Sequence, residues 1–310
     1  MNFKNFWTIA FEFLLYYQAN FLQMDLIFKL SQSLISEAVS KIQAEIFKLA
    51  EAGRKKATDK HTKNVQLYQG VKTEDLKEII FPKVWDDFLG GMSENDKKEV
   101  AHALLSQDHC EERLMGLFIF DKMPKMIYKH DIVRIENLFK EGKLVGWGCS
   151  DGVSSYVFKH WVTGNMDNAR YICEWRNSDC LWLQRASCVT FINLAKYGDN
   201  TPNFPGFMKM LDQVCEKTIQ NPERFAQLGT GWLLRNIGSV DKKQLFAFLE
   251  RNIGYFSREG LSYAIEKLTP VERKKYKSLR NKVSVVKLEE DADFEADFGE
   301  IFSPKKTKQN

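Results

Sequence analysis

The chain has 310 residues, of which 44% are hydrophobic and 28% are charged, and its formal net charge is +4. These values are typical of a globular protein with a sizeable core, and they exclude a disordered or fibrous chain. Proline is scarce, with seven residues. The scarcity of proline and of Asn-Gly or Asp-Gly turns favours long helices over a sandwich of short strands.

The N-terminal stretch 1–24 is rich in aromatic residues and is interrupted by Glu12. It is too short and too mixed for a membrane span, and it lacks the apolar core and cleavage site of a signal peptide. Two interpretations remain open. The stretch is either an extra helix packed on the body or an upstream extension with the functional start at Met24.

The six cysteines form no Cys-x-x-Cys pair, and none has a histidine at zinc-ligand spacing. We therefore expect no metal site. Cysteines of this kind indicate reduced thiols in an intracellular protein, in the cytoplasm of a prokaryote or the nucleus of a eukaryote.

Residues 25–270 are predicted to form the main domain. Apolar residues recur at helical spacing from Asp25 to Glu51, and from about 74 to 268 helix pairs alternate with short turns. A repeat every 30–50 residues predicts an all-α stack of helical repeats, whose concave face suits an extended partner. The predicted inner helices are Glu112–Phe120, Asp151–Val162, Leu181–Ala195, Gly231–Ile237 and Ser257–Leu268.

After Pro270 the composition changes to a basic run followed by an acidic one. We expect residues 271–310 to be a charged, largely disordered tail, because they bury too little apolar surface to offset the entropy lost on ordering. Without the acidic part of this tail the body is more basic, which suits a polyanionic partner.

One short stretch, Gly146 to Asp151, combines an aromatic ring and a carboxylate. On a helix Trp147 and Asp151 are four residues apart and share a face. However, the glycines at 146 and 148 favour a helix that begins near Ser150. Asp151 is then equally explained as a helix cap, and Trp147 as a core residue that closes the turn.

Two later helices carry comparable residues. Arg185 lies beside the apolar face of its helix, so it is either a phosphate clamp or an ion-pair partner of a neighbouring repeat. The small residues at 229–231 would allow a ligand to approach Trp232 closely. Arg235, one turn later, is explained equally well by a structural ion pair. The histidines are scattered, and no nucleophilic triad or phosphate-binding loop accompanies these residues.

Across residues 65–270 the chain resembles the DNA alkylation repair glycosylases of the AlkD type. The resemblance rests on the order and spacing of the segments Tyr68-Gln-Gly-Val-Lys-Thr73, Glu111-Glu112-Arg113, Trp147-x-x-x-Asp151, Trp182-Leu-Gln-Arg185-Ala186, Gly231-Trp232-Leu-Leu-Arg235-Asn-Ile-Gly238 and Ser257-Arg-Glu259 with Tyr263-Ala-Ile-Glu-Lys-Leu268. It implies an α–α superhelix of HEAT-like repeats with a concave DNA-binding face.

The resemblance also implies the site and the reaction. Asp151 takes the catalytic position, Trp147 and Trp232 face the DNA, and Arg185 contacts a phosphate, a role that a one-residue indel would move to Gln184. Arg235 is a further DNA-binding candidate. The implied reaction is hydrolysis of the N-glycosidic bond of cationic N3- or N7-alkylpurines in duplex DNA. It needs no metal, cofactor or base-binding pocket, and we expect a monomer that does not bind membranes.

Two departures put the substrate range in doubt: residues 148–150 are smaller than in such glycosylases, and the connection 196–207 is longer. Two other functions stay open. The same scaffold could bind DNA structures without catalysis, or it could bind a peptide as a protein-interaction scaffold.

Overall fold

The computed structural model of the chain describes residues 29–51, 54–55 and 66–282. These residues form 13 helices and no β-strand, apart from an isolated bridge between Leu67 and His109. The predicted extension 1–24, Met24 included, lies outside the described residues. Among the helices that the structure describes, none has both the length and the apolar character needed to cross a membrane.

The helices are numbered α1 to α13 in chain order. Two of them, α2 and α6, contain a π-helical turn: α2 is formed by Thr73–Asp75, Leu76–Ile80 and Phe81–Asp87, and α6 by Trp147–Val153, Ser154–Phe158 and Lys159–Val162. The others are α1 (29–48), α3 (Glu94–Leu105), α4 (Cys110–Lys122), α5 (Lys129–Lys140), α7 (Met166–Glu174), α8 (Leu181–Val189), α9 (Phe207–Thr218), α10 (Arg224–Val240), α11 (Lys242–Asn252), α12 (Arg258–Ala264) and α13 (Pro270–Lys282).

Every second helix belongs to one inner layer. In this layer α4 packs on α6, α6 on α8, α8 on α10, and α10 on α12. Each of these five helices overlaps one of the predicted inner segments, so the all-α helical-repeat fold is confirmed. The layer contributes one long core, whose fully buried side chains include Ile119, Val157, Leu183, Leu233 and Leu261.

Glycines let neighbouring helices of the stack approach each other closely. A Cβ atom on Gly116 of α4 would lie 2.7 Å from the carbonyl oxygen of Ala101 in α3. A Cβ atom on Gly231 of α10 would lie 2.5 Å from the carbonyl oxygen of Gly260 in α12. Any side chain at these positions would push the paired helices apart.

The irregular connection predicted at 196–207 is present between α8 and α9, and side chains hold it together. Asn203 Nδ2 donates hydrogen bonds to the carbonyl oxygens of Leu194 and Gly198. The Asp199 carboxylate accepts from the backbone N–H groups of Gly206 and Met208, at the start of α9.

The first residues of the predicted charged tail, 271–282, are helical. These residues belong to α13, in which Tyr276 is 1% exposed and packs against Phe246 with ring centroids 5.5 Å apart. Arg280 is also buried, and its Nε donates to the carbonyl oxygen of Phe256. Two buried side chains thus anchor one face of this helix despite its highly charged composition. Residues 283–310 lie outside the described part of the chain.

Candidate active site

The site begins at the first turn of α6, which starts earlier than predicted. Gly146 precedes the helix with φ 87°, a conformation that favours glycine, and a Cβ atom there would lie 2.8 Å from the Gln66 side chain. The helix therefore begins at Trp147 and not near Ser150. Asp151 consequently lies in the second turn, on the same face as Trp147, and it does not cap the helix.

The Asp151 carboxylate forms a buried, bidentate ion pair with Arg185 of α8. Arg185 Nε donates to Oδ1 and Nη2 donates to Oδ2, both at 2.8 Å. The two residues are 3% and 5% exposed. Burial lowers the pKa of the Arg185 guanidinium, but the charge and hydrogen bonds of Asp151 outweigh this effect and raise it overall. The carboxylate is thus held as one half of a fixed charge pair.

Each of the three nitrogens of the Arg185 guanidinium donates a hydrogen bond to a protein acceptor, and the phosphate contact that the resemblance implies for this residue stays a prediction. Its remaining Nη1 donates to the backbone carbonyl oxygen of Phe225 in α10, at 2.9 Å. Gly229 makes room for this arrangement, since a Cβ atom there would lie 3.3 Å from Arg185 Cγ. The structure therefore shows the alternative interpretation, an ion pair to a neighbouring repeat.

Gln184, the other residue considered for the phosphate contact, also makes internal hydrogen bonds. Its Oε1 accepts from Asn221 Nδ2 at 2.6 Å, and its Nε2 donates to the carbonyl oxygen of Ser178 at 2.7 Å. These bonds connect the first turn of α8 to the turn that precedes α10. Its side chain therefore ties together two segments of the stack.

Trp147 and Trp232 are both half-buried, on α6 and α10. Trp232 lies one turn after Gly229, which contacts Arg185, and Trp147 lies one turn before Asp151. The ion pair between Asp151 and Arg185 joins α6, which carries Trp147, to α8, and the hydrogen bond from Arg185 to Phe225 continues this connection to α10, which carries Trp232. Three inner helices, α6, α8 and α10, bring the predicted residues into one region.

Arg235 contacts one residue of α12 and one residue that follows it. It forms an ion pair with Glu266, and its Cζ lies 5.9 Å from the ring centroids of both Trp232 and Tyr263. A cation at this distance from two aromatic rings is attracted to both. The sequence assigns no role to Tyr263, because nothing in its spacing indicates that it shares a cation with Trp232.

The loop at residues 66–71 packs against the first turn of α6. The Glu111 carboxylate accepts hydrogen bonds from the backbone N–H groups of Gln69, Gly70 and Val71, at 2.8–3.2 Å. Gln66 in turn donates to Cys149 Sγ of α6 at 2.6 Å. In the sequence, this loop and Glu111 appear only as two separate segments that resemble the family. The structure shows that the Glu111 carboxylate binds the backbone of the loop.

Comparisons with known proteins agree with this architecture. The sequence model of one family, described as DNA alkylation repair enzymes, matches residues 42–268. No curated protein gives a match. A solved structure described as a predicted DNA alkylation repair enzyme from Enterococcus faecalis is similar with a TM-score of 0.61 and 11% sequence identity. The similarity covers 71% of this chain and 97% of that one, and at this identity it supports the fold.

The matched family segment includes every helix of the inner layer and each candidate residue, Trp147, Asp151, Arg185, Trp232 and Arg235 among them. The resemblance drawn from the sequence is therefore confirmed, and the chain belongs to the DNA alkylation repair enzyme family.

Proposed function

We propose that this protein is a monofunctional DNA glycosylase that acts as a monomer on duplex DNA. It hydrolyses the N-glycosidic bond of purines that carry a positive charge after alkylation at N3 or N7. The observation that carries the proposal is the Asp151 carboxylate, which is fixed by Arg185 one turn away from the half-buried ring of Trp147.

The chemistry needs little more than a fixed negative charge. A cationic alkylpurine is already a good leaving group, and the sugar becomes an oxocarbenium ion as the bond breaks. A preorganised carboxylate stabilises that developing charge in a site with little water. The indole faces of Trp147 and Trp232 would add a cation–π attraction, worth about 0.5–2 kcal/mol each depending on desolvation.

Arg185 has a positioning role in this proposal. Its two hydrogen bonds occupy one lone-pair direction of each carboxylate oxygen, and a carboxylate offers about four such directions. In this proposal the other directions serve the sugar or an attacking water molecule. Because the guanidinium also bonds to Phe225, it holds the carboxylate in one orientation relative to α8 and α10.

We further propose that excision proceeds without base flipping. A cavity of about 530 Å³ opens beside α1 and is lined by residues that include Phe47, Tyr68 and His109. None of the candidate residues lines it. Support for excision at an open surface comes from Trp147 and Trp232, which are both only half-buried.

One observation favours a second function, a non-catalytic binder of DNA structures. Both oxygens of Asp151 bond to Arg185, so part of the negative charge is compensated within the protein. In that function the tryptophans would recognise distorted DNA, and the ion pair would only join α6 to α8.

The deciding experiment measures the release of alkylated base from methylated duplex DNA by the wild-type protein and by Asp151→Asn. We expect the variant to lose at least about 100-fold in rate, because the charge is removed while the shape is kept. Its DNA affinity should change little. Asp121→Asn is the matched control, since Asp121 lies on the adjacent inner helix and bonds to His160.

Equal release by wild type and Asp151→Asn would exclude the proposed role of Asp151. No release by either protein, with DNA binding that weakens steeply as salt rises, would favour the non-catalytic binder. No release and no DNA binding would instead favour the protein-interaction scaffold.

A further inference from the structure

The cavity beside α1 is a groove with a mostly apolar lining. Its volume is about 530 Å³, and it lies between the last turn of α1 and the loop at 66–71. Its lining includes Phe47, Ala50, Tyr68, Gln69 and His109. This cavity, named here the α1 groove, contains none of the candidate residues of the active site.

Phe47 is the most exposed aromatic side chain in the described part of the chain. Its exposed fraction is 77%, whereas that of Tyr128 is 46%. Leu30 and Leu34, at the start of the same helix, are also exposed, and they share one face because they are four residues apart. A surface helix normally turns its large apolar side chains toward the core. Helix α1 therefore carries apolar surface that the described residues leave uncovered.

The chain itself supplies a segment whose composition matches the groove. Residues 1–28 directly precede α1 and lie outside the described residues. Eight of the first 24 residues are aromatic, and only Lys4 and Glu12 among them are charged. Aromatic side chains gain free energy when they are removed from water, and the apolar wall of the groove offers them contact area.

One polar atom of the groove matches the same segment. Gln69 Nε2 donates to Glu112 Oε1 at 3.3 Å, and because a carboxylate only accepts, this bond assigns the amide nitrogen. Gln69 Oε1 is buried and meets no hydrogen-bond donor among the described residues. A buried acceptor costs free energy until a donor reaches it. The ring N–H of Trp7 and the hydroxyl groups of Tyr16 and Tyr17 are donors carried on aromatic side chains.

The segment is long enough to reach the groove. Phe47 follows the first described residue, Lys29, by 18 residues, which is about 27 Å along a helix. The 28 preceding residues would cover about 42 Å as a helix and about 90 Å in an extended form. A tethered segment also has an effective concentration in the millimolar range, which favours it over a second copy or a foreign chain.

We propose that the aromatic segment 1–24 folds back on α1 and docks into the α1 groove. There it covers Phe47 and brings a tryptophan or tyrosine donor to Gln69 Oε1. The groove shares Tyr68 and Gln69 with the loop at 66–71, whose Gln66 contacts Cys149 in the first turn of α6. The docked segment therefore holds this loop against the turn that carries Trp147. The inference does not depend on the proposed glycosylase activity.

The first test compares the stability of the full-length wild type, Phe47→Glu and Val271→Glu. On an uncovered helix surface the change at Phe47 costs nothing, because glutamate is the better helix former. Under a docked segment it buries a carboxylate against aromatic rings, which is costly. We expect Phe47→Glu to lower the Tm by about 3 °C or more. Val271, which is 79% exposed on α13, is the matched control and should tolerate glutamate without loss.

Amide hydrogen exchange then locates the protected segment. Peptides from residues 1–24 should exchange at least about tenfold more slowly in the wild type than in Phe47→Glu. Peptides that contain residue 47 or Tyr68 should lose protection in the same variant, whereas α13 should not change.

Cross-linking distinguishes the chain's own segment from a second copy. An amine-reactive cross-linker is applied to an equal mixture of unlabelled and heavy-nitrogen-labelled wild-type protein. We expect Lys4 to be joined to Lys55, which lines the groove, or to Lys48, which is exposed one residue after Phe47. Both peptides of each cross-linked pair should carry the same label.

Three results would overturn the proposal. One is an unchanged Tm of Phe47→Glu together with exchange of residues 1–24 that is as fast in the wild type as in the variant. Another is cross-links between peptides of different label, which would show that a second copy fills the groove. The third is that Lys4 is joined only to lysines remote from α1, such as Lys274. The cross-links are read from the wild-type protein, so a poorly folded variant does not affect them.

Discussion

At the scale of single residues, Arg185 and Arg224 each form a bidentate ion pair with a carboxylate, but the two pairs differ in their exposure to solvent. Arg185 pairs with Asp151 between α6 and α8, where both residues are buried. Arg224 pairs with Glu259 between α10 and α12, where both side chains are about one-third exposed. A buried pair that loses its geometry leaves an uncompensated charge, whereas water replaces a partner in an exposed pair.

We therefore predict different results for the two Arg→Lys substitutions. Arg185→Lys keeps the charge but loses the planar fork, so it should lower the free energy of unfolding by about 2–3 kcal/mol and reduce base excision. Arg224→Lys should change the free energy of unfolding by less than about 1 kcal/mol. Urea denaturation and the base-release assay provide the measurements. Similar losses in both variants would contradict the interpretation of Arg185 as a positioning residue.

Arg235 was a DNA-binding candidate in the sequence, and the structure connects it to Trp232, Tyr263 and Glu266. We predict that Arg235→Gln weakens excision by releasing the Trp232 ring, while the salt dependence of DNA binding stays unchanged. A direct phosphate contact would lower the slope of log K against log salt by about 0.9 when it is lost. Binding measured at several salt concentrations separates the two roles, and a lower slope would identify Arg235 as a phosphate contact.

At the scale of elements, the crossing of α10 and α12 depends on a glycine. We predict that Gly231→Ala lowers the free energy of unfolding by about 1–3 kcal/mol, because its Cβ atom would lie 2.5 Å from a backbone oxygen that has no side-chain freedom. Gly148→Ala is the control, since its Cβ atom would meet nothing closer than 3.7 Å. That change should stabilise α6 by up to about 1 kcal/mol.

Thermal or urea denaturation of the two glycine variants checks this prediction. A Gly231→Ala protein as stable as the wild type would show that α10 and α12 can separate without loss of packing. Trp232 follows Gly231 directly, so the same variant should also disturb the ring and reduce excision.

The start of α6 shows why element boundaries were harder to predict than element types. Two glycines near Trp147 favoured a late start, and Asp151 then resembled a helix cap. Of these two glycines, Gly146 adopts a positive φ, whereas Gly148 is part of the helix. Gly146 is needed because the Gln66 side chain, 80 residues earlier in the chain, leaves no space for a Cβ atom.

At the scale of the whole molecule, acid stability depends on Asp131, a fully buried carboxylate between α3 and α5. Lys98 Nζ lies 2.7 Å and His102 Nε2 lies 2.9 Å from its oxygens, and the Tyr128 N–H donates to it. Burial raises the pKa of Asp131, but the hydrogen bonds from His102, Lys98 and Tyr128 outweigh it and lower the pKa to about 2.

A carboxylate with a depressed pKa in the folded state stabilises the protein above its ordinary pKa of 3.8. This contribution of about 2 kcal/mol is lost as the pH falls from there through about 2. We predict that Asp131→Asn is less stable than wild type at pH 7 and loses less stability between pH 5 and 2. The exposed pair of Glu37 with Lys41 provides the control Glu37→Gln. Identical pH profiles for wild type and Asp131→Asn would contradict the assignment.

The sequence by itself determined the helical class, the five inner helices and the family. These features depend on the spacing of apolar residues and on short motifs, which are local properties of the chain. The same spacing placed Asp151 and Trp232 on helices of one layer, whereas the position of Trp147 on the first turn of α6 came from the structure. Even the weak motifs were informative, because their order along the chain matches the order of the helices.

The tertiary structure alone decided which side chains become partners. Asp151 and Arg185 are 34 residues apart, and Gln66 and Cys149 are 83 residues apart. Their contacts follow from the angle and depth at which helices cross, and these depend on small residues such as Gly229 and Gly231 and on the loop at 66–71. Local periodicity carries no information on such crossings, which is why the protein partners of Arg185 and of Gln66 became visible only in the fold.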